Sequence, residues 1–96
     1  MISVITTIKA ESGLIIRSRT VGYTNNFTEA VKIANSNAGD IYECGYYNYL
    51  VIEDIKEGLY QYDTNPKWFK WDPKKKGFYA SEKPDVPDYL PYCSIG

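Results

Sequence analysis

Ile2, Val4, Thr6 and Ile8 alternate with Ser3, Ile5, Thr7 and Lys9, which is the two-residue period of a strand. Ala10-Glu11-Ser12-Gly13 supplies a turn, and residues 14–23 resume the alternation, with Ile15, Arg17, Arg19, Val21 and Tyr23 on one face and Leu14, Ile16, Ser18 and Thr20 on the other. The two runs predict an antiparallel hairpin. At Thr24-Asn25-Asn26 the period changes: Phe27, Ala30, Val31 and Ala34 follow the i, i+3, i+4, i+7 spacing of a helix of about three turns. Asn26 is placed to cap it, Glu29 to reach back as in a capping box, and Asn37-Ala38-Gly39 to form a left-handed exit.

Beyond the helix the chain is rich in Tyr, Val, Ile and Trp, predicting strands at 41–47, 49–55, 59–62, 67–71 and 78–81. Turn residues separate them at Tyr47-Asn48, Lys56-Glu57-Gly58, Asp63-Thr64-Asn65-Pro66 and 72–77. Pro84, Pro87 and Pro91 exclude a regular helix or central strand from the tail, residues 83–96, while Val86, Tyr89, Leu90 and Tyr92 suit an extended strip packed on the body. The expected architecture is one α+β domain over residues 1–96. An antiparallel sheet of about five to six strands, in the order ββαβββ, carries one helix on one face.

A chain of 96 residues buries one modest core and leaves little room for an enclosed active site, which favours a binder over an enzyme. The composition contains no His, the commonest general base and metal ligand, and its two Cys cannot by themselves complete a tetrahedral zinc site. Cys44 has no His to generate a thiolate, and Glu53 and Asp54 point to opposite faces of a strand. No phosphate-binding Gly-rich loop, Asp-x-Asp pair or nucleophile elbow is present. No catalytic residue, metal or cofactor is therefore expected. The net charge of −1 argues against generic affinity for DNA or anionic membranes, and apolar runs such as 14–16 and 49–52 fall far short of the ~20 residues of a membrane span. With no basic n-region at the start, the expectation is a soluble protein of the cytoplasm with Cys44 and Cys93 as free thiols.

Charge is unevenly distributed. Residues 40–63 hold six carboxylates against Lys56, and residues 64–84 hold six Lys against Asp72 and Glu82. Mutual neutralisation between neighbouring strands is the plain explanation; a dipolar surface that orients a charged partner is the functional one. Lys67-Trp68-Phe69-Lys70-Trp71, then Lys74-Lys75-Lys76 and Phe78-Tyr79, interleave cations with rings at strand spacing. Phe69 and Trp71 fall on the face expected to be core, whereas Trp68 and Lys70 share the other, so Trp68, Lys70, Lys74, Lys75 and Lys76 are the candidate binding patch. Ten Tyr, four of them at 42, 46, 47 and 49, add Tyr47 and Tyr49 as candidate contacts, since exposed Tyr is a hallmark of protein-binding surfaces.

The run Phe27-Thr28-Glu29-Ala30-Val31-Lys32-Ile33-Ala34, with Gly58-Leu59-Tyr60, Trp68-Phe69-Lys70-Trp71, Tyr79-Ala80-Ser81-Glu82-Lys83-Pro84 and Ser94-Ile95-Gly96, resembles small bacteriophage proteins, including anti-CRISPR proteins, built as two strands, a helix and further strands. The resemblance implies a non-catalytic anti-defence inhibitor in the host bacterial cytoplasm. Its implied partner is a bacterial defence protein or protein–RNA complex, bound stoichiometrically by a monomer or homodimer. The residues themselves leave two alternatives: a small domain binding nucleic acid through the basic aromatic hairpin, or a protein sequestering a nucleotide signal in a Tyr-lined pocket.

Overall fold

Ser12 and Gly13 both adopt positive φ, 53° and 77°, the geometry of a two-residue primed turn whose twist matches that of the flanking strands. In the computed structural model, which describes residues 2–36, 46–56, 64–86 and 92, this turn joins β1 (Ile2–Glu11) to β2 (Leu14–Thr24). Glu11 pairs with Leu14, and the ladder runs to Ser3 opposite Thr24 with register shifts between Ile5 and Thr6 and between Lys9 and Ala10. The chain continues through α1 (Phe27–Asn35), β3 (Tyr49–Ile55), β4 (Lys67–Asp72) and β5 (Gly77–Ala80). All five strands form one antiparallel sheet in the order β2-β1-β3-β4-β5, the α+β class that the alternation predicts.

Helix α1 starts where expected. Asn26 Oδ1 accepts the N–H groups of Thr28 at 2.9 Å and Glu29 at 3.3 Å. The return half of the capping box is absent: Asn26 N–H donates to Thr24 Oγ1 at 3.3 Å, and Glu29 instead faces Lys32 at 3.9 Å. The helix also stops earlier than predicted, at Ser36, whose backbone is extended and whose N–H donates to the Ile33 carbonyl. Residues 37–39, the expected exit, lie outside the described residues, as do most of the predicted 41–47 strand and all of 59–62; Tyr46 and Tyr47, the described end of the former, are not in a strand.

Strand register decides the layers. Ile5, Leu50, Ile52, Phe69 and Phe78 project to one side, where Ala30 and Ala34 of α1 meet them without any exposed surface of their own, and Tyr47 completes this cluster. Two alanines one turn apart let the helix approach the sheet closely. Phe27, expected in this core, stays 43% exposed at the helix entry. On the opposite side Ile8, Ala10, Val51 and Trp68 form a second buried cluster, closed by Val86 and Tyr92 from the proline-rich segment. The sheet is thus covered on both faces, which explains why β1 is buried at nearly every position from Ser3 to Ile8.

The covering segment is tied down by a buried carboxylate. Glu53, opposite Val4 on β1, has no solvent exposure, and its Oε2 accepts the Thr64 hydroxyl at 2.7 Å and the Tyr92 N–H at 2.8 Å. Asp54 lies on the other face as expected, accepting the Ser3 hydroxyl at 3.3 Å. Both carboxylates thus serve β1, β3 and the covering segment, and neither is set against a β4 lysine: the β3–β4 ladder ends at Ile52 and Lys67. Within these strands the charge blocks therefore do not neutralise one another by direct pairing.

Candidate functional site

The β4–β5 hairpin is shaped by one aspartate. Asp72 Oδ1 accepts the N–H of Lys74 at 2.9 Å and of Lys75 at 3.2 Å, and its carbonyl accepts the N–H of Lys76 at 2.8 Å. The Lys75 N–H, more than any other contact, holds the Asp72 carboxyl below its ordinary range; desolvation is the next largest effect and opposes it, while the Lys74 N–H and the two lysine charges add to the lowering. Lys76 takes positive φ, 54°, a conformation costing a non-glycine residue on the order of 1 kcal/mol, so the turn carries backbone strain as well as three exposed lysines.

Register then builds the face behind the turn. Tyr49 on β3 opposes Lys70 on β4, and Lys70 opposes Tyr79 on β5, giving a row of ring, cation and ring across three strands. Lys75 Nζ lies 4.5 Å from the centre of the Tyr79 ring, within cation–π distance. Lys70, Asp72, Pro73, Lys74, Tyr79 and Ser81 line an open depression of about 500 Å³. Among the described residues, no carboxylate lies within ion-pair distance of Lys70, Lys74, Lys75 or Lys76.

The hairpin is positioned from below by α1. Gly77, the first residue of β5, faces the Asn35 backbone so closely that a Cβ there would run into the Asn35 carbonyl oxygen. The helix C-terminus and the start of β5 therefore pack backbone to backbone, and Trp71 seals the joint by meeting Phe78 edge-on at 5.2 Å.

Of the candidate residues, the structure places Lys70 and Lys74 on one depression and Lys75 over the Tyr79 ring beside it, all exposed, with Lys76 exposed on the same turn and half-buried Tyr49 beside Lys70. Trp68 is a correction: it is only 6% exposed, packed edge-on against Tyr92 at 5.0 Å, and among the described residues its Nε1 has no acceptor. It shares a sheet face with Lys70 as expected, but the covering segment closes over that part of the face. Tyr47 is a second correction, 1% exposed in the helix-side core, whereas its neighbour Tyr46 faces solvent and meets Tyr47 edge-on at 5.0 Å. Tyr79 was missed as a site residue, and the signal was present: closing Asp72 against Gly77 across a four-residue turn sets Lys70 opposite Tyr79. Tyr42, Cys44 and Cys93 lie outside the described residues.

Chemically, the arrangement offers fixed positive charge and ring faces, which suits binding. Among the described residues no three acidic side chains gather as a metal-holding set, and no helix is long and apolar enough to cross a membrane. No protein-family model, curated protein or solved structure matches this chain.

Proposed function

We propose that this chain is a non-catalytic, phage-type anti-defence inhibitor that docks its β4–β5 hairpin on an acidic face of a bacterial defence protein or protein–RNA complex and acts by occupancy. The observation that carries the reading is the grouping of Lys70 and Lys75 about Tyr79, with Lys74 and Lys76 exposed on the adjoining turn, in a chain whose net charge is −1. Such a cluster steers and orients an acidic partner, and Tyr79 supplies the ring on which an interface can centre. The proposed site is Lys70, Lys74, Lys75, Lys76, Tyr79 and Tyr49; Trp68 and Tyr47 support it from the core.

The row Tyr49–Lys70–Tyr79 favours a second reading, single-stranded nucleic acid, whose bases stack on rings while phosphates meet cations. Capture from a bacterial lysate followed by mass spectrometry identifies the partner. The double variant Lys70→Glu, Lys75→Glu, both at exposed positions, is expected to melt like the unmodified protein and to lose at least about tenfold in affinity for the captured partner. Unchanged affinity would remove the hairpin from the interface. Salt separates the two readings: four lysines on single-stranded phosphates give a log–log slope of about −3, and a ring-centred protein interface gives a much shallower one.

A further inference from the structure

The sheet has a second edge, and its chemistry differs from that of the hairpin. Strand β2 is 11 residues long and lies at the end of the sheet order. It contains no proline, and its two arginines and two register shifts against β1 restrict which strand can pair with it. Leu14 is 63% and Ile16 55% exposed near one end, and Tyr23 is 69% exposed at the other. Between them Arg17 and Arg19 are exposed and lie on the helix-side face, Arg17 directly opposite Lys9. Like charges facing each other across a strand pair are unfavourable; among the described residues Lys9 has a 3.7 Å contact with Glu11 and the Tyr46 ring 5.4 Å away.

We propose that β2 is a docking edge for an extended segment of another protein with carboxylates at alternate positions, added to the sheet as a sixth strand. Charge complementarity selects this occupant. A strand laid beside β2 places every second side chain on the helix-side face next to Arg17 and Arg19, so an acid-x-acid pattern meets both cations while the intervening residue lies by Ser18. Apolar residues flanking the acids cover Leu14 and Ile16. A second copy of this chain is disfavoured at the same edge, because antiparallel self-pairing about Ser18 sets Arg17 of each copy against Arg19 of the other. Main-chain hydrogen bonds supply affinity and the alternate carboxylates supply choice, the division usual in strand addition.

The test uses a synthetic decapeptide alternating glutamate with valine, and a control alternating lysine with valine, with amide hydrogen exchange resolved by residue. The glutamate peptide is expected to slow exchange along residues 17–20 and the lysine peptide to leave them unchanged. Arg17→Glu with Arg19→Glu, checked for an unaltered melting temperature, is expected to weaken the glutamate peptide about tenfold or more. Lys70→Glu with Lys75→Glu should bind it normally, so failure of the hairpin reading and failure of this one are distinguishable. Protection that ignores peptide charge, protection confined to the β4–β5 hairpin, or a β2-dependent dimer in sedimentation without peptide would each overturn the proposal.

Discussion

Asn48 shows how one side chain can continue a ladder that the backbone has left. Its Oδ1 accepts the Ala10 N–H and its Nδ2 donates to the Ala10 carbonyl, both at 2.8 Å, while its own N–H donates to Ile8 and its carbonyl accepts the Trp71 N–H. The carboxamide thus stands in for a peptide unit just where β1 shifts register between Lys9 and Ala10. Asn48→Ala would leave a part-buried N–H and C=O unpaired and is expected to destabilise by about 2 kcal/mol, read as a lower denaturation midpoint with an unchanged slope. Asn48→Asp should fare no better, since a carboxylate cannot donate to the Ala10 carbonyl. If both variants melt like the unmodified chain, the bracket is incidental. In the sequence Asn48 reads only as a turn residue, because its partner is 38 residues away and no local pattern records it.

At the scale of elements, the contact between α1 and β5 sets the hairpin's position, and Gly77 permits it. A Gly→Ala change at a compatible site usually stabilises by reducing unfolded-state freedom, but here the new Cβ meets the Asn35 backbone, which has no flexible end to yield. Gly77→Ala is therefore expected to cost about 2 kcal/mol and to shift the amide resonances of residues 72–80, measured by denaturation and by NMR. A neutral Gly77→Ala with undisturbed resonances would mean that the helix end sits farther from the sheet. The elements themselves were legible: β1 and β2 from alternation, the helix start from Asn26, the 72–77 turn from Asp, Pro and Gly. Their mutual approach was not, since Gly77 looks like an ordinary turn glycine until the helix that crosses it is placed.

At the scale of the whole molecule, the expectation of one core face misjudged Trp68. Alternation assigns residues to two faces but does not say how many faces are covered, and the proline-rich segment that covers the second has no period to read. Val86 and Tyr92 close over Ile8, Val51 and Trp68, and Glu53 anchors Tyr92 through its main-chain N–H. If this covering layer belongs to the folding unit, removing the Tyr92 ring should weaken the entire domain. Tyr92→Ala keeps the N–H to Glu53 but empties the space edge-on to Trp68, so a loss of about 3 kcal/mol is expected, with tryptophan fluorescence and far-ultraviolet circular dichroism falling in one coincident urea transition. A fluorescence change that precedes the loss of secondary structure in the unmodified protein would instead make the covering layer a separable flap. In that case Trp68 would become available to a partner, and the hairpin site would extend across the sheet face from Lys70 to Trp68.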